Sequence, residues 1–289
     1  MISVIIPTYQ RVNKLKRAIN SVINQSYDNY ELIIVNDCID DDSLIKELIE
    51  SYKDSRIKYY LNSREKGANG ARNTGILNAQ GEFIAFLDDD DEWLENKLKT
   101  QLKCLVLKGE EWGGVYSSFT LQKKNVWEIN KGNSEGDLLK EAILGELSIC
   151  TGSNLLIRKK VIQDIGMWDE DLLRQQDLEF IIRLMGKYKL AYDKNLSVKI
   201  YGHNTPNPST AFSEREKYLN KILLFLKLLS NKELDKFYSN HFRRQALYLA
   251  MQGKNVMAIK YWFKSTSYQI FNFKKDIKLL FCMAKGFLN

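Results

Sequence analysis

Four consecutive aspartates, Asp88, Asp89, Asp90 and Asp91, form the densest group of chemically active side chains in the sequence. They follow the apolar run of residues 83–87. Repulsion between neighbouring carboxylates is modest in water but grows to several kcal/mol, in order of magnitude, where the dielectric falls. The group therefore needs solvent or a cation, and we interpret it as a metal and phosphate site. The alternative is an acidic turn that caps a helix beginning near Trp93, although a cap uses one carboxylate, not four.

The elements around this group alternate between two hydrophobic periods. Short apolar runs at residues 3–6, 31–36, 57–61 and 83–87 predict strands that are buried on both faces. Helical spacing at residues 15–23 and 44–49 separates them, which indicates a βαβα order and a mainly parallel sheet. Ligands of such sheets bind beyond the carboxyl ends of the strands, so we expect Thr8, Asp37 and the aspartates to share one crevice.

Later elements are less sharply patterned. We predict a helix from Trp93, strands at residues 113–119 and 154–157, a helix at residues 178–185 and helices throughout residues 211–289. The composition, 44% hydrophobic and 27% charged, is typical of an ordered globular protein. Four cysteines without a CxxC pair, and the absence of a leader or a long uncharged apolar run, predict a cytoplasmic protein.

The net charge of +7 is unevenly distributed. Residues 211–289 hold 15 Lys and Arg against 5 Asp and Glu, whereas residues 1–210 hold 28 against 31. This contrast predicts a boundary near Thr210, between a domain of residues 1–210 and a basic, aromatic-rich helical extension of residues 211–289.

Four ordered blocks carry a family resemblance: VIIPTY at residues 4–9, IVND at 34–37, GARNTG at 70–75 and FLDDDDEW at 86–93. Together they resemble the family-2 glycosyltransferases of the GT-A fold that build bacterial surface polysaccharides, over about residues 1–205. The resemblance implies a Rossmann-like sheet with a donor-binding half at about residues 1–110 and an acceptor half at about residues 111–210. It also implies a metal-dependent, inverting transfer of a sugar from a nucleotide diphosphate, with a UDP-sugar as the best candidate donor.

The family pattern assigns donor contacts. Pro7, Thr8 and Tyr9 would line the base and ribose, and Asp37 would accept a hydrogen bond from the pyrimidine. Asp37 is otherwise a loop aspartate before a helix, although residues 40–43 are better caps. The family usually has Gly-Ser where this chain has Cys38 and Ile39.

Within the aspartate run, the resemblance places Asp88 and Asp89 on the donor and Asp90 on a divalent metal, Mn²⁺ or Mg²⁺. Asp91 and Glu92 would take part if the register shifted by one residue. Arg72 is either a diphosphate contact or a partner of the acidic group.

The acceptor half supplies the other candidates. An inverting transfer needs a carboxylate base, and by resemblance this is Asp177, with Glu179 as the second choice. A plain helix cap is the alternative for Asp177. His203 would contact the metal or the diphosphate, or is simply an exposed loop residue. Trp168 and Asp169 belong to the acceptor side, where Trp168 either stacks on a sugar or packs internally.

The basic extension has two open interpretations that are compatible with each other. It suits a helix on an anionic membrane surface, or a helical hairpin whose aromatic residues pack inward. It carries no base-reading motif, so we predict no nucleic-acid partner.

The expected partners are therefore a nucleotide sugar and a saccharide or lipid-linked acceptor. Two rival functions remain: a nucleotidyltransferase-like enzyme, which lacks its usual glycine-rich basic signature here, and a non-catalytic nucleotide-sugar-binding protein.

Overall fold

The computed structural model describes residues 1–123, 126–132, 134–202 and 208–268, together with residues 276, 277, 279 and 282. Contacts divide the chain into two compact units. The first comprises Met1–Leu139, Leu147–Asp171 and Gln176–Gly202, and the second comprises Lys140–Glu146, Leu172–Gln175 and His203–Asn289. The boundary at residue 210 stays a prediction.

Strands and helices alternate through the first part of the chain, and the last described elements are all helical. The strands are β1 (Ile2–Thr8), β2 (Tyr30–Asn36), β3 (Ile57–Leu61), β4 (Phe83–Phe86), β5 (Glu92–Trp93), β6 (Trp112–Lys123), β7 (Val126–Asn130), β8 (Leu156–Arg158) and β9 (Lys189–Tyr201). The helices are α1 (Val12–Ile23), α2 (Asp42–Tyr52), α3 (Ala68–Asn78), α4 (Lys97–Val106), α5 (Leu139–Leu144), α6 (Thr151–Asn154), α7 (Lys159–Ile165), α8 (Gln176–Met185), α9 (Pro208–Leu226), α10 (Asn231–Met251) and α11 (Asn255–Thr266).

The nine strands of the described residues join one sheet in the order β3-β2-β1-β4-β8-β6-β9-β5, with β7 paired to β6. The segment β3-β2-β1-β4 is parallel, whereas β8 is antiparallel to both of its neighbours. The predicted α/β architecture with a parallel sheet in the donor-binding half is therefore confirmed. Every residue of β1, β2 and β4 is buried, as the continuous apolar runs predict. β3 is only half-buried, so the prediction that it is buried on both faces was wrong, because it forms an edge of the sheet.

The segment after the aspartates differs from the predicted helix. Trp93 lies in β5 and pairs with Val198 of β9, and α4 begins only at Lys97. This pairing joins residues that are 105 positions apart, so local periodicity carries no signal of it. The predicted strand at residues 154–157 likewise starts later, at Leu156, after the short helix α6.

The carboxyl ends of β1, β2 and β4 lie at one edge of the sheet. Thr8 pairs with Asn36, and Phe86 pairs with Ile5, so the segments after these strands emerge side by side. The amide of Asp37 donates to the carbonyl of Thr8 at 2.9 Å. The parallel register thus brings the predicted donor residues into one region, as the crevice rule for such sheets expects.

The second unit is helical in its described parts. α10 starts with a capping box, in which Ser230 and Glu233 satisfy each other's backbone amides. Small and apolar side chains, among them Ala246, Leu249 and Ala258, form its core. No helix in the described ranges is both long enough and apolar enough to cross a membrane.

Candidate active site

A cavity of about 340 Å³ opens at the carboxyl ends of β2 and β3. Its volume is in the range that holds small ligands. Its walls are Tyr9, Asn36, Asp37, Cys38, Ile39, Asp40, Leu61, Asn62, Arg64 and Lys66.

Asp37 is fixed on the wall of this cavity. Its Oδ1 accepts from Nδ2 of Asn62 at 2.6 Å, and its Oδ2 accepts from the amide of Gly67 at 2.8 Å. Each carboxylate oxygen can accept a second hydrogen bond, so Asp37 keeps acceptor capacity for a ligand. The unusual Cys38 that follows makes a local turn, in which its amide donates to Oδ1 of Asn36 at 3.0 Å. Helix α2 begins at Asp42, so Asp37 does not cap it.

The three residues at the end of β1 occupy different places. Pro7 is buried inside the strand opposite Val35. Thr8 is buried, and its hydroxyl donates to Asp89 at 2.9 Å. Tyr9 is 42% exposed and lines the cavity, with Nζ of Lys66 5.4 Å from the centre of its ring. Of the three, therefore, only Tyr9 presents its side chain to the cavity.

The four aspartates form an acidic loop (residues 88–91) between β4 and β5. Its two middle members are buried against cations of the α1 region. Nη1 of Arg11 lies 3.2 Å from Asp89 and 2.7 Å from Asp90, and Nζ of Lys14 lies 3.6 Å from Asp90. Burial and, to a smaller extent, the charge of Asp90 raise the pKa of Asp89. Since α4 starts at Lys97 with Asn96 as its cap, the acidic loop does not cap that helix.

Asp91 anchors the loop to other parts of the first unit. It accepts from the hydroxyl of Ser153 at 2.5 Å and from the amide of Tyr201 at 3.1 Å. Burial, together with the charges of Asp88 and Asp90, raises the pKa of Asp91 to about 8. Ionisation of Asp91 beside its charged neighbours is thus strongly disfavoured unless a cation is present.

Asp88 is the most accessible carboxylate of the loop, with 35% of its side chain exposed. Its Oδ1 accepts from Nη2 of Arg72 at 2.6 Å. A Cβ atom on Gly152 would lie 2.5 Å from Oδ2 of Asp88, so a glycine at this position leaves room for the carboxylate. Arg72 is therefore a partner of the acidic loop, which is one of the two roles that the sequence left open.

Arg72 also links the loop to the candidate base. It is 3% exposed, and although burial opposes its charge, Asp88 and Asp177 raise its pKa. Its guanidinium lies 4.7 Å from the ring centre of Trp168. Its Nε is buried without a hydrogen-bond partner within the described part of the chain. Arg72, Asp88 and Asp177 therefore form one electrostatic group.

Asp177 is the second residue of α8. Burial raises its pKa to about 6, with Arg72 lowering it and Asp88 raising it further. Its Oδ1 is buried and has no hydrogen-bond partner among the residues that the structure describes. Glu179, the second choice for the base, is buried and holds Arg183, with Oε2 2.8 Å from Nη2. Its carboxylate is committed to the fold, whereas that of Asp177 has an unused acceptor.

The acceptor-side candidates have structural contacts. Trp168 is 3% exposed, stacks on Phe180 with ring centres 4.4 Å apart and meets Phe86 edge to face. The indole of Trp168 therefore packs internally, which is the second of the two roles that the sequence left open for it. The carbonyl of Asp169 accepts from Nδ2 of Asn69 at 2.7 Å, which ties this segment to α3.

The sequence predicts two metal ligands, His203 and Asp90, and both assignments stay predictions. His203 lies outside the described residues. Within the described ranges, no three His, Cys, Asp or Glu side chains are arranged around a common point that suits a metal ion. The carboxylate of Asp90 forms ion pairs with Arg11 and Lys14, and its role as a metal ligand stays a prediction.

Sequence reasoning did not predict the contacts of two residues that shape the site. Ser153 accepts from the amide of Asp88 at 3.1 Å and donates to Asp91, so it fixes both ends of the acidic loop. Arg11 neutralises the loop's middle. A signal for Arg11 existed, since it lies three residues after the end of β1. The family resemblance implies that residues 151–154 belong to the acceptor side, but nothing in the sequence predicts the contact of Ser153 with Asp91, which is 62 residues away.

Comparison with known proteins places this geometry in a family. The model of glycosyl transferase family 2 matches residues 3–166. A GalNAc(5)-diNAcBac-PP-undecaprenol beta-1,3-glucosyltransferase of Campylobacter jejuni is 29% identical over 288 residues, which cover 93% of this chain and 89% of that protein. An uncharacterized glycosyltransferase of Rickettsia bellii is 39% identical over 148 residues, which cover 49% of this chain and 20% of that protein.

Solved structures share the fold. S. aureus TarS 1–349 in complex with UDP-GlcNAc has a TM-score of 0.68 at 17% identity, over 99% of this chain and 88% of that one. GalNAc-T7 with UDP, GalNAc and Mn²⁺ has a TM-score of 0.62 at 19% identity, over 90% of this chain and 54% of that one. Because the family model matches more than half of the sequence, the chain belongs to glycosyl transferase family 2 and is a glycosyltransferase with the GT-A fold.

Proposed function

We propose that this glycosyltransferase transfers a sugar from a UDP-sugar, with inversion and with the help of a divalent metal, to a hydroxyl of a lipid-linked saccharide. The observation that carries the proposal is the electrostatic group that Arg72 forms with Asp177 and with Asp88, the first residue of the acidic loop. It combines a carboxyl of raised pKa, an unused acceptor oxygen and a guanidinium suited to phosphate.

The donor would bind with its nucleoside in the cavity of Tyr9 and Asp37. Asp37 is held rigidly by Asn62 and Gly67, and its spare lone pairs suit an N–H of a pyrimidine. The exposed ring of Tyr9 supplies an apolar face for the base. Asp88 and Asp89 would contact the ribose, and Arg72, while paired with Asp88, would place its positive charge beside the diphosphate. Solved structures of the same fold that hold UDP-GlcNAc or UDP support a uridine nucleotide.

The acidic loop fits a divalent cation in its chemistry. Hard carboxylate oxygens are the ligands that Mn²⁺ and Mg²⁺ prefer. Burial, together with the charges of neighbouring aspartates, raises the pKa of Asp89 and Asp91, so full ionisation of the loop would be favoured by a bound cation. We assign the cation to Asp90, with Asp88 beside it and His203 as a further candidate. The cation would stabilise the negative charge of the departing diphosphate as a Lewis acid.

Asp177 would act as the base. In its ionised form, Oδ1 of Asp177 would accept the proton of the acceptor hydroxyl while the hydroxyl oxygen attacks the anomeric carbon from the face opposite the diphosphate. A pKa of about 6 leaves the carboxylate ionised at neutral pH and still basic enough to take a proton. Arg72, paired with Asp88, would hold positive charge beside the reacting groups.

The acceptor is inferred from a relative. The Campylobacter jejuni enzyme is named for an acceptor linked through a diphosphate to undecaprenol. An acceptor of this class lies at a membrane surface, and the excess of basic residues at positions 211–289 suits contact with anionic lipid. We therefore propose a cytoplasmic protein that binds the inner face of the membrane peripherally.

A thermal-shift screen of nucleotide sugars tests the donor and the metal together. We expect UDP-sugars to raise the melting temperature by mass action, and Mn²⁺ to increase the shift. The Asp37→Ala variant should lose the shift, whereas Asp28→Asn, a change at a side chain that is 94% exposed, should keep it. A larger shift with GDP-sugars, or an equal shift in both variants, would contradict the assignment of the nucleoside site.

A further inference from the structure

Strand β7 carries apolar side chains that the rest of the protein leaves uncovered. Val126 is 64% exposed, Trp127 is 40% exposed and Ile129 is 62% exposed, and Asn130 is the only residue of the strand that is half-buried. β7 pairs with β6, and within the described residues no other strand pairs with it. Exposed apolar residues on an edge strand invite aggregation, and a contiguous group of them marks a contact surface.

The apolar residues of β7 lie on both faces of the strand. Because side chains alternate along a strand, Trp127 and Ile129 share one face and Val126 lies on the other. A folded protein partner would cover one face or extend the free edge, whereas a fluid apolar medium surrounds both faces. The arrangement therefore suits the interface of a lipid bilayer better than the surface of a second protein.

Lysines flank this apolar group. Lys123 lies opposite Val126 in the register of β6 and β7, and its Nζ is 2.6 Å from Oε2 of Glu128. Residues 121–131 hold three lysines and this one glutamate, which leaves a net charge of +2. Lysine side chains are long enough to keep their ammonium groups among anionic headgroups while neighbouring apolar side chains enter the acyl boundary. Tryptophan, with its apolar ring and its N–H donor, is enriched at the same depth.

We propose that β7 inserts into the surface of an anionic lipid bilayer through Val126, Trp127 and Ile129. This inference rests on the proposed peripheral binding to a membrane. It adds a contact made by the first unit, because β7 belongs to Met1–Leu139, whereas the basic residues discussed above lie at positions 211–289.

The strand is connected to the acidic loop through Tyr201. The rings of Trp127 and Tyr201 meet edge to face with their centres 5.1 Å apart, and the amide of Tyr201 donates to Oδ1 of Asp91 at 3.1 Å. The hydroxyl of Tyr201 also donates to Oε2 of Glu92 at 3.0 Å. A bilayer in contact with β7 would therefore lie on the side of the first unit that carries the acidic loop, which is where a lipid-linked acceptor has to arrive.

A fluorescence experiment on the full-length protein tests the insertion. The wild type and Trp127→Phe are mixed with vesicles of phosphatidylglycerol and phosphatidylcholine in equal parts, with and without bromine on the acyl chains. Bromine quenches an indole that enters the acyl boundary, and the difference between the two proteins isolates Trp127 from the other four of the five tryptophans. We expect brominated vesicles to remove most of the Trp127 signal. Brominated vesicles of phosphatidylcholine alone should quench it less, because they lack the anionic headgroup.

A second measurement is partition into the same vesicles in salt that screens surface charges. The double variant Val126→Ser, Ile129→Ser removes two apolar side chains and keeps Trp127 and the lysines. Its partition coefficient should fall at least about tenfold, because the apolar transfer free energy of both side chains is lost. Leu107→Ser, at a leucine of the first unit that is 76% exposed, is the matched control and should partition as the wild type does. Since all three side chains are exposed, the variants should melt at the wild-type temperature.

Each adverse outcome identifies what is wrong. Binding to vesicles without quenching of Trp127, or an equal loss of partition in Leu107→Ser, would overturn the contact of β7 and leave binding through residues 211–289 standing. If the wild type binds no vesicles, both membrane contacts are overturned. If the double variant partitions like the wild type but changes a dimer into a monomer in sedimentation, β7 contacts a second copy of the chain and not lipid. The vesicles contain no nucleotide sugar, so none of these outcomes depends on the donor assignment.

Discussion

The substitution Asp177→Asn tests the proposed base most directly. With a pKa of about 6, Asp177 is mostly ionised at pH 7.5, so most molecules of the wild type carry the base in its active form. The amide keeps the shape of the carboxyl but cannot take a proton. General-base catalysis contributes roughly 10²–10⁴-fold, so we expect kcat to fall by that factor while donor affinity changes less than about twofold.

Stability should respond in the opposite direction to activity. The raised pKa means that the folded protein binds more protons than the unfolded chain between pH about 4 and about 6, so the contribution of Asp177 to stability falls as pH rises through this window. At pH 7.5 the ionised Asp177 destabilises the fold, by at most ~3 kcal/mol for a shift of about two units. Asp177→Asn should therefore have an unchanged or higher melting temperature at this pH, which separates loss of chemistry from loss of folding.

The assay is release of UDP from the donor selected by thermal shift, with calorimetry for donor binding. For the wild type, kcat/KM should rise with pH through about 6 as Asp177 loses its proton, and this limb should be absent in Asp177→Asn. Asp28→Asn serves as a surface control. If Asp177→Asn keeps more than a tenth of the wild-type kcat, or retains the same acid limb, the base lies elsewhere.

Two further substitutions test the rest of the site. Asp37→Ala should weaken binding of UDP about tenfold or more, since a hydrogen bond to a charged acceptor contributes about 1.5–3 kcal/mol, and calorimetry with UDP would show it; unchanged affinity would move the nucleoside elsewhere. Gly152→Ala places a Cβ atom 2.5 Å from Oδ2 of Asp88 and should displace this carboxylate from Arg72. Because the end of a side chain can move, we expect a small change in melting temperature but at least a tenfold loss of kcat/KM, and full activity would show that the pair is dispensable.

The sequence predicts the parallel half of the sheet well because its signals are local. β3 matches the predicted range of residues 57–61, and the ends of β1, β2 and β4 differ from prediction by two residues or fewer. Buried parallel strands read as unbroken apolar runs, and each is bounded by polar residues. Burial itself is not a local property: β3, whose sequence includes Lys58, Tyr59 and Tyr60, lies at the edge of the sheet, where one side has no neighbour, and is only half-buried.

The site is predictable as a set of residues but not as a set of contacts. Parallel topology is enough to bring Thr8, Asp37 and the acidic loop together, because all follow strand ends. The choice between the two roles of Arg72 depends on a 2.6 Å contact with Asp88, and no spacing in the sequence encodes it. The same holds for Trp168, whose burial between Phe86 and Phe180 results from packing across the first unit.

Identical side chains in the acidic loop acquire different properties from their surroundings. Asp91 is anchored by Ser153 and Tyr201, whereas Asp89 and Asp90 share the guanidinium of Arg11. Protein cations and hydrogen bonds thus offset part of the repulsion within the loop, while burial and the remaining carboxylate charges keep the pKa of Asp89 and Asp91 raised.

This arrangement also bears on how a divalent cation would reach Asp90. The carboxylate of Asp90 is 3% exposed and lies on Arg11, whose own side chain is 48% exposed. Binding at Asp90 would require Arg11 to move away, and its half-exposed side chain can turn into solvent while the ion supplies positive charge to Asp90 in its place. Displacing Ser153 and the Tyr201 amide from buried Asp91 would instead leave polar groups without partners. For this reason we propose Asp90, and not Asp91, as the ligand of the cation.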